Sequence, residues 1–191
     1  MKVFLRQING PWDQGWVLDK HTRSSVYLGN NEQGHPQFDT TRTEVGEATY
    51  KLKYGHEWAE AIPLGQAIAS EIYPKLNNVG FIVPMPATTT RPRQPVTEVA
   101  KALGNAIGKP VFDNVLMKAP NGQSLKNLHS KDEKIEAIGD SLRIVDQLEG
   151  DGPWNVLLVD DLFDSGASME AACKVLHAYS KVRKIYVAAL T

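Results

Sequence analysis

Two stretches of the chain are apolar without alternation. Val79-Gly80-Phe81-Ile82-Val83 and Val156-Leu157-Leu158-Val159 are short unbroken runs, the pattern of strands buried on both faces, as in a parallel sheet. Between and around them the apolar residues recur at helical spacing. Val45, Ala48, Tyr50 and Leu52 predict a helix over 43–54, closed by lysines and Gly55 as a helix C-terminus prefers. Trp58, Ile62, Leu64, Ile68 and Ile72 predict a second over 57–73, with Pro63 expected to delay its start or kink it. A third is expected over 95–107, opened by Pro95 at a tolerated first position. A weak one is expected over 131–138. The last, from Ser168 to about 180, carries Ala171, Ala172, Val175 and Leu176 on one face. Short strands are expected at 109–112, at 141–145 as an edge strand, and at 184–190 as the last of the chain. Strands alternating with helices predict an α/β fold, a doubly wound and mostly parallel sheet, with its ligand at the strand C-terminal ends.

Residues 1–45 have a different texture. Alternating residues 1–7, then 15–19 and 25–29, read as short strands, with Asn9-Gly10-Pro11 as a turn and polar, turn-forming residues over 30–43. Trp12, Trp16, Tyr27 and Phe38 gather here with Asp19, Lys20, His21 and Arg42. The expected division is a small N-terminal β-rich hood over 1–45 and a core over 46–191. The aromatics suit either the interior of a capping sheet or a lid that stacks on a flat substrate.

Composition changes this picture only by exclusion. A chain of 191 residues, 42% apolar and 23% charged, fits one domain with a small appendage. A net charge of −1 gives no reason to expect nucleic acid or an anionic membrane. No apolar run is long enough to span a bilayer and no signal-peptide pattern is evident, so a cytoplasmic location is expected. The single cysteine, Cys173, excludes an internal disulfide and a multi-cysteine zinc site. A phosphate loop is not found either. Gly104-Asn105-Ala106-Ile107-Gly108-Lys109-Pro110 is one residue short, and has Pro where a hydroxyl should hold magnesium.

The candidate chemistry follows the run at 156–159. Asp160 and Asp161 stand where that strand should end, and Asp164-Ser165-Gly166-Ala167-Ser168 leads into a helix. Such a turn can aim backbone N–H groups and two hydroxyls at a phosphate, at the helix end whose dipole favours an anion. Gly166 permits close approach and an unusual backbone angle. Ionised Asp160 and Asp161 are pure acceptors, suited to the two vicinal hydroxyls of a ribose. Together these parts describe a site for a ribose 5-phosphate.

The whole stretch, residues 156–168, resembles the phosphoribosyl-pyrophosphate (PRPP) loop of type I phosphoribosyltransferases. The resemblance implies that Asp160 and Asp161 hold the ribose and that Asp164, Ser165, Gly166, Ala167 and Ser168 cradle the 5-phosphate. A second basic loop follows the run at 79–83: Pro84-Met85-Pro86, three threonines, then Arg91-Pro92-Arg93-Gln94. In the family a loop after an early strand binds pyrophosphate, a role that suits Arg91 and Arg93 through bidentate donation. Residues 118–130, with Gln123-Ser124-Leu125, read as a flap. This order of motifs resembles the ComF-like, amidophosphoribosyltransferase-like branch over about residues 45–191.

The chain also departs from its relatives. It lacks the N-terminal zinc-binding cysteines of many ComF-like proteins, and the glutamine-hydrolysing cysteine of true amidophosphoribosyltransferases. Asp164 stands where many members have Thr. There the chain is closer to the purine-salvage branch, in which Asp acts near the base as general acid or base. The aromatic hood that 6-oxopurine salvage enzymes place after the last strand has no counterpart after Leu190, so base recognition is expected from residues 1–55 or from a partner subunit.

The implied activity is PRPP-dependent phosphoribosyl transfer to an acceptor, by default a nitrogenous base, with pyrophosphate release. Asp164, Asp160 and Asp161 would be the catalytic set. Mg2+ is the implied cofactor, held through substrate and by Asp160 and Asp161. Either a homodimer or a partner protein is compatible. Two other readings remain open: a non-catalytic PRPP or nucleotide-binding regulator, and a nucleoside or nucleotide hydrolase using water as acceptor.

Overall fold

The computed structural model describes residues 1–87, 89, 91–119 and 130–191. The fold is mixed α/β around a mostly parallel sheet. Its strands lie in the order β1 (Arg6–Gln7), β2 (Gln14–Val17), β9 (Val182–Ala189), β8 (Trp154–Asp160), β5 (Val79–Pro84). β2, β9, β8 and β5 run parallel, and β1 is antiparallel at the edge. The two apolar runs are β8, between β9 and β5, and β5, the last strand of the order, which meets the Val111 bridge on its other side. Val156, Leu157, Leu158 and Val159 are all fully buried, because both faces of the sheet are covered.

The pleat sends alternate residues of these strands to opposite layers. Val156 and Leu158 join Phe81, Val83, Ile185 and Val187 in one core with α5 (Ala167–His177) and α4 (Lys131–Gly139). Leu157 and Val159 join Ile82, Tyr186 and Ala188 in the other, with α1 (Glu44–Tyr50), α2 (Ala61–Ala67) and α3 (Pro95–Ile107). Cys173 is fully buried in the first core, as expected of a small apolar residue. The helix expected over 57–73 is a chain of helical turns in which Pro63 falls in the first turn of α2, where it forfeits no internal hydrogen bond. Helix α1 passes into a π-helical turn over Lys51–Gly55.

Several expected elements sit elsewhere. Residues 14–17 do not stand apart from the core. β2 pairs with β9 from Gln14↔Tyr186 to Val17↔Ala189, and Ile8, Trp12, Val17 and Leu18 are buried in the main cores. The part of 1–45 that stands out is a hairpin of β3 (Thr22–Asn30) and β4 (Pro36–Arg42), exposed along most of its length. Its root is tied down by the start of α1. Thr43 Oγ1 caps that helix through Gly46 N–H at 2.9 Å and donates to the Lys20 carbonyl at 2.6 Å. A Cβ on Gly46 would lie 2.0 Å from the His21 carbonyl oxygen, so this approach requires glycine. The edge strand expected at 141–145 is β7 (Leu142–Ile144), which pairs with β6 (Leu116–Lys118) in a separate two-stranded sheet. The strand expected at 109–112 reduces to one bridge, Val111 beside Ile82. No helix among the described residues is long and apolar enough to cross a membrane.

Candidate functional site

The parallel strands set the site by where they end. β8 stops at Asp160, β5 at Pro84, and the chain beyond each forms one wall of a cleft of about 310 Å3. Asp160, Asp161, Leu162 and Ser168 line it from the β8 side, and Met85, Pro86, Ala87, Thr89 and Arg91 from the β5 side. The two walls are tied together at the base, where Met85 N–H donates to the Val159 carbonyl at 2.8 Å. The β5 loop is braced within itself by Gln94 Nε2, which donates to the Thr89 carbonyl at 2.8 Å. Behind the β8 loop the last residues of the chain act as a splint. Leu190 and Thr191 N–H groups donate to the Asp160 and Asp161 carbonyls, each at 3.1 Å.

The turn after Asp161 has the geometry its residues suggested. Gly166, the cap that precedes α5, adopts φ +80°, ψ −4°, a left-handed conformation. A Cβ there would meet the Phe163 ring at 3.1 Å. Phe163 is itself fixed, edge-on to Trp12 at 6.0 Å and under the Arg6 guanidinium at 5.9 Å. Ser165 Oγ accepts the Ala167 N–H at 3.4 Å. The helix opens at Ala167, one residue before the expected Ser168, with Gly166 as a cap that offers no side-chain bond. Asp164 is therefore not the cap of α5. Asp164, Ser165 and Ser168 are exposed, and Gly166 and Ala167 are buried.

The two carboxylates are unequal. Asp160 Oδ1 accepts the Asp161 N–H at 2.8 Å, and Asp161 Oδ2 pairs with Lys53 Nζ at 2.9 Å. Burial and the charge of Asp161 push the Asp160 carboxyl up to about 7, against opposing pulls from that N–H, Lys53 and Lys118. Lys118, at the end of β6, also lines the cleft, and its own pKa is lowered by burial, partly offset by Asp160. His21 lies close enough to feel Arg42, Lys53 and Asp161; burial and the two cations lower its pKa, holding it neutral near pH 7.

The predicted site residues are thus partly assembled. Asp160, Asp161, Ser168 and Arg91 share the cleft, whereas Asp164, Ser165, Gly166 and Ala167 are not among the residues that line it. Arg91 also donates through Nη1 to the Lys53 carbonyl at 3.1 Å. Arg93 is not brought to the cleft lining: it pairs with Glu98 and lies over the Trp58 ring at 4.5 Å. Lys53 and Lys118 are cleft cations that the sequence reading did not single out. The first read as a helix-terminal charge, and the second as the start of a polar loop. The proposed flap residues Gln123, Ser124 and Leu125 lie outside the described residues.

Compared with known proteins, the chain matches no family model and no curated protein. It is similar to solved structures of adenine phosphoribosyltransferase from Leishmania tarentolae (10% identity, 98% of this chain and 97% of that one, TM-score 0.45). It is similar also to hypoxanthine phosphoribosyltransferase from Staphylococcus aureus (10% identity, 70% of this chain, TM-score 0.44), of whose length it spans 63%. A further adenine phosphoribosyltransferase matches at 14% identity over 87% of this chain and 85% of that one, TM-score 0.43. At such values the likeness is one of outline, and the reading of function rests on the residues of the cleft.

Chemically, the cleft sets three cations, Lys53, Arg91 and Lys118, against two carboxylates, with a glycine-hinged turn at one end. Such a site favours a ligand with several anionic groups and a polyhydroxyl centre. It also fits a substrate-held Mg2+. Such an ion would be held through one or two carboxylates plus phosphate oxygens. Asp160 and Asp161 supply such a pair, while no cluster of three acidic, His or Cys ligands occurs among the described residues.

Proposed function

We propose that the chain is a PRPP-dependent phosphoribosyltransferase of type I, in the ComF-like branch, acting on a nitrogenous base. The single observation that carries this reading is the convergence, in one cleft, of Asp160, Asp161 and the Ser168 end of the turn with Arg91, Lys53 and Lys118. No one element supplies these groups. They come from the end of β8 and the start of α5, the loop after β5, the π-helical turn after α1 and the end of β6.

On this reading the ribose hydroxyls donate to Asp160 and Asp161. The 5-phosphate takes the N–H groups of the turn at 164–168 and the Ser168 hydroxyl. The pyrophosphate lies toward Arg91 and Lys53, whose charges offset what builds on it as the bond to the anomeric carbon breaks. Lys53 has a second task, since its pairing with Asp161 Oδ2 at 2.9 Å holds that carboxylate in place. Bound Mg2+ would add charge neutralisation on the pyrophosphate oxygens. The acceptor nitrogen forms the new bond to the anomeric carbon, pyrophosphate departs, and the acceptor's proton passes to a base. Asp164 is assigned that base, because it is exposed as the first residue of the turn and is not the cap of α5.

Pyrophosphate release from PRPP and Mg2+ tests the proposal, measured with and without a panel of purines and pyrimidines. Release that depends on one base supports it. Release without any base would make the chain a hydrolase, and tight PRPP binding with no release would make it a binding protein.

A further inference from the structure

Beside the turn assigned to the 5-phosphate lies an ion pair that this function does not use. Glu170 sits in the first turn of α5, where its N–H donates to the Gly166 carbonyl at 2.9 Å. Side chains on a helix lean toward its N-terminus. The Glu170 carboxylate accordingly curls back over the turn, with Oε1 3.5 Å from where a Cβ on Gly166 would stand. There it pairs with Lys131 Nζ, from the first residue of α4. The root of Lys131 is held by a reciprocal cap. Ser130 Oγ accepts the Glu133 N–H at 3.1 Å, and the Glu133 carboxylate accepts the Ser130 N–H at 3.2 Å. The Lys131 side chain is 46% exposed, against 20% for Glu170. The ammonium therefore has room to turn while the carboxylate has little.

A carboxylate at this place has a definite effect. The N-terminal end of α5 favours an anion, and Glu170 is the anion that leans on it. A phosphate entering the same turn meets that negative charge. Lys131 Nζ, paired with Glu170 Oε1, stands beside the same turn. We infer that Lys131 and Glu170 form a charge gate at the phosphate turn: Lys131 passes from the Glu170 carboxylate to the entering phosphate, and Glu170 opposes entry of any anion too weakly charged to draw Lys131 across. Lys131 is thus a binding residue for the phosphate of a phosphorylated sugar, and Glu170 a selectivity residue. The inference rests on the assignment of 164–168 to the 5-phosphate.

Opposite signs test it. Ribose 5-phosphate is titrated into the full-length protein by calorimetry at low salt, with inorganic phosphate as a second probe. Lys131→Ala is expected to weaken binding about 2- to 5-fold, and Glu170→Gln to tighten it by a similar factor, the range for a charge at a helix terminus. The double variant returns toward wild type, and all differences shrink at high salt. A merely structural pair predicts otherwise: both single variants break the same contact, so both would move binding in the same direction, along with the melting temperature. Equal-signed shifts, or none, overturn the gate while leaving the ribose-phosphate site standing. Failure of the wild-type protein to bind ribose 5-phosphate overturns the site and the gate together.

Discussion

Two clefts of nearly equal size open at opposite ends of the parallel strands, about 310 Å3 beyond the ends of β5 and β8 and about 320 Å3 at their beginnings. The second is lined by Phe81, Phe112, Leu148 and Trp154, with Gln147 and Glu149 at its exposed edge. Phe81 and Phe112 meet edge to face at 5.8 Å. Its walls are core residues that reach the surface. The first gathers cations, carboxylates and a glycine-hinged turn. The difference follows from chain direction. Where a parallel strand ends, the chain turns back into a helix whose N-terminal N–H groups face the strand end. Where a strand begins, it is helix C-termini and carbonyls that arrive. Equal volume does not mean equal function; what decides is which end of the backbone dipoles a cleft sees.

This contrast can be broken at either end. The largest effect is expected from replacing Asp160 and Asp161 together by Ala. Calorimetry should then find no ribose 5-phosphate or PRPP binding, while circular dichroism finds the fold intact. Retained affinity would remove the ribose assignment. Next comes Asp164→Asn, expected to cut turnover by roughly 10²–10⁴, the range for general acid–base catalysis, with PRPP affinity nearly unchanged. A silent Asn variant would reduce Asp164 to a turn residue. At the other end, Phe81→Ala removes a ring that is only 2% exposed. Denaturant titration should show a loss of about 3 kcal/mol, with ribose 5-phosphate affinity unchanged. A large change in affinity would mean that the two clefts are coupled.

The smallest effect is one of pH. The Asp160 carboxyl is raised to about 7 in the folded protein by burial and by Asp161. The folded state therefore binds a proton more tightly than the unfolded chain does. Its contribution to stability is fully present below the unfolded carboxylate range and is lost as pH rises toward 7. Asp160→Asn should thus raise the melting temperature above pH 7, with a gain that shrinks as the pH falls through 7 toward 4. A gain that stays constant across that window would show that Asp160 titrates like an ordinary surface carboxylate.

How much of this was legible in the sequence depended on whether a segment's environment is set locally. α3 was placed to the residue, β5 to within one residue and β8 to within two, because burial on both faces, or on one helical face, writes itself into the apolar pattern. The turn at 164–168 was legible because a left-handed backbone at a helix start calls for glycine. β4 was read as polar loop: most of Pro36–Arg42 is exposed, so no face imposes alternation, and its strand character comes only from pairing with β3. β2 was read as a strand but not placed in the main sheet, because its partner lies at the far end of the chain. Lys53 and Lys118 were missed for a related reason. Nothing local separates Lys53 from Lys51; only the π-helical turn over Lys51–Gly55 and the position of Asp161 decide which lysine meets the cleft.

The pairing of β2 with β9 has a consequence for how the chain folds. Gln14 meets Tyr186 and Val17 meets Ala189, so this ladder closes a loop spanning nearly the whole sequence. Contacts so distant in sequence slow folding, because the chain bears the closure entropy before any bond is made. Until the last strand is available, β2 has no partner on that side. Until β2 docks, β9 presents an unpaired edge of backbone donors and acceptors next to the apolar residues Ile185, Tyr186 and Val187, the kind of edge on which a second nascent chain can add a strand. The first twenty residues thus act as an edge protector, and their late docking makes intermolecular strand addition the characteristic hazard of this fold during refolding at high concentration.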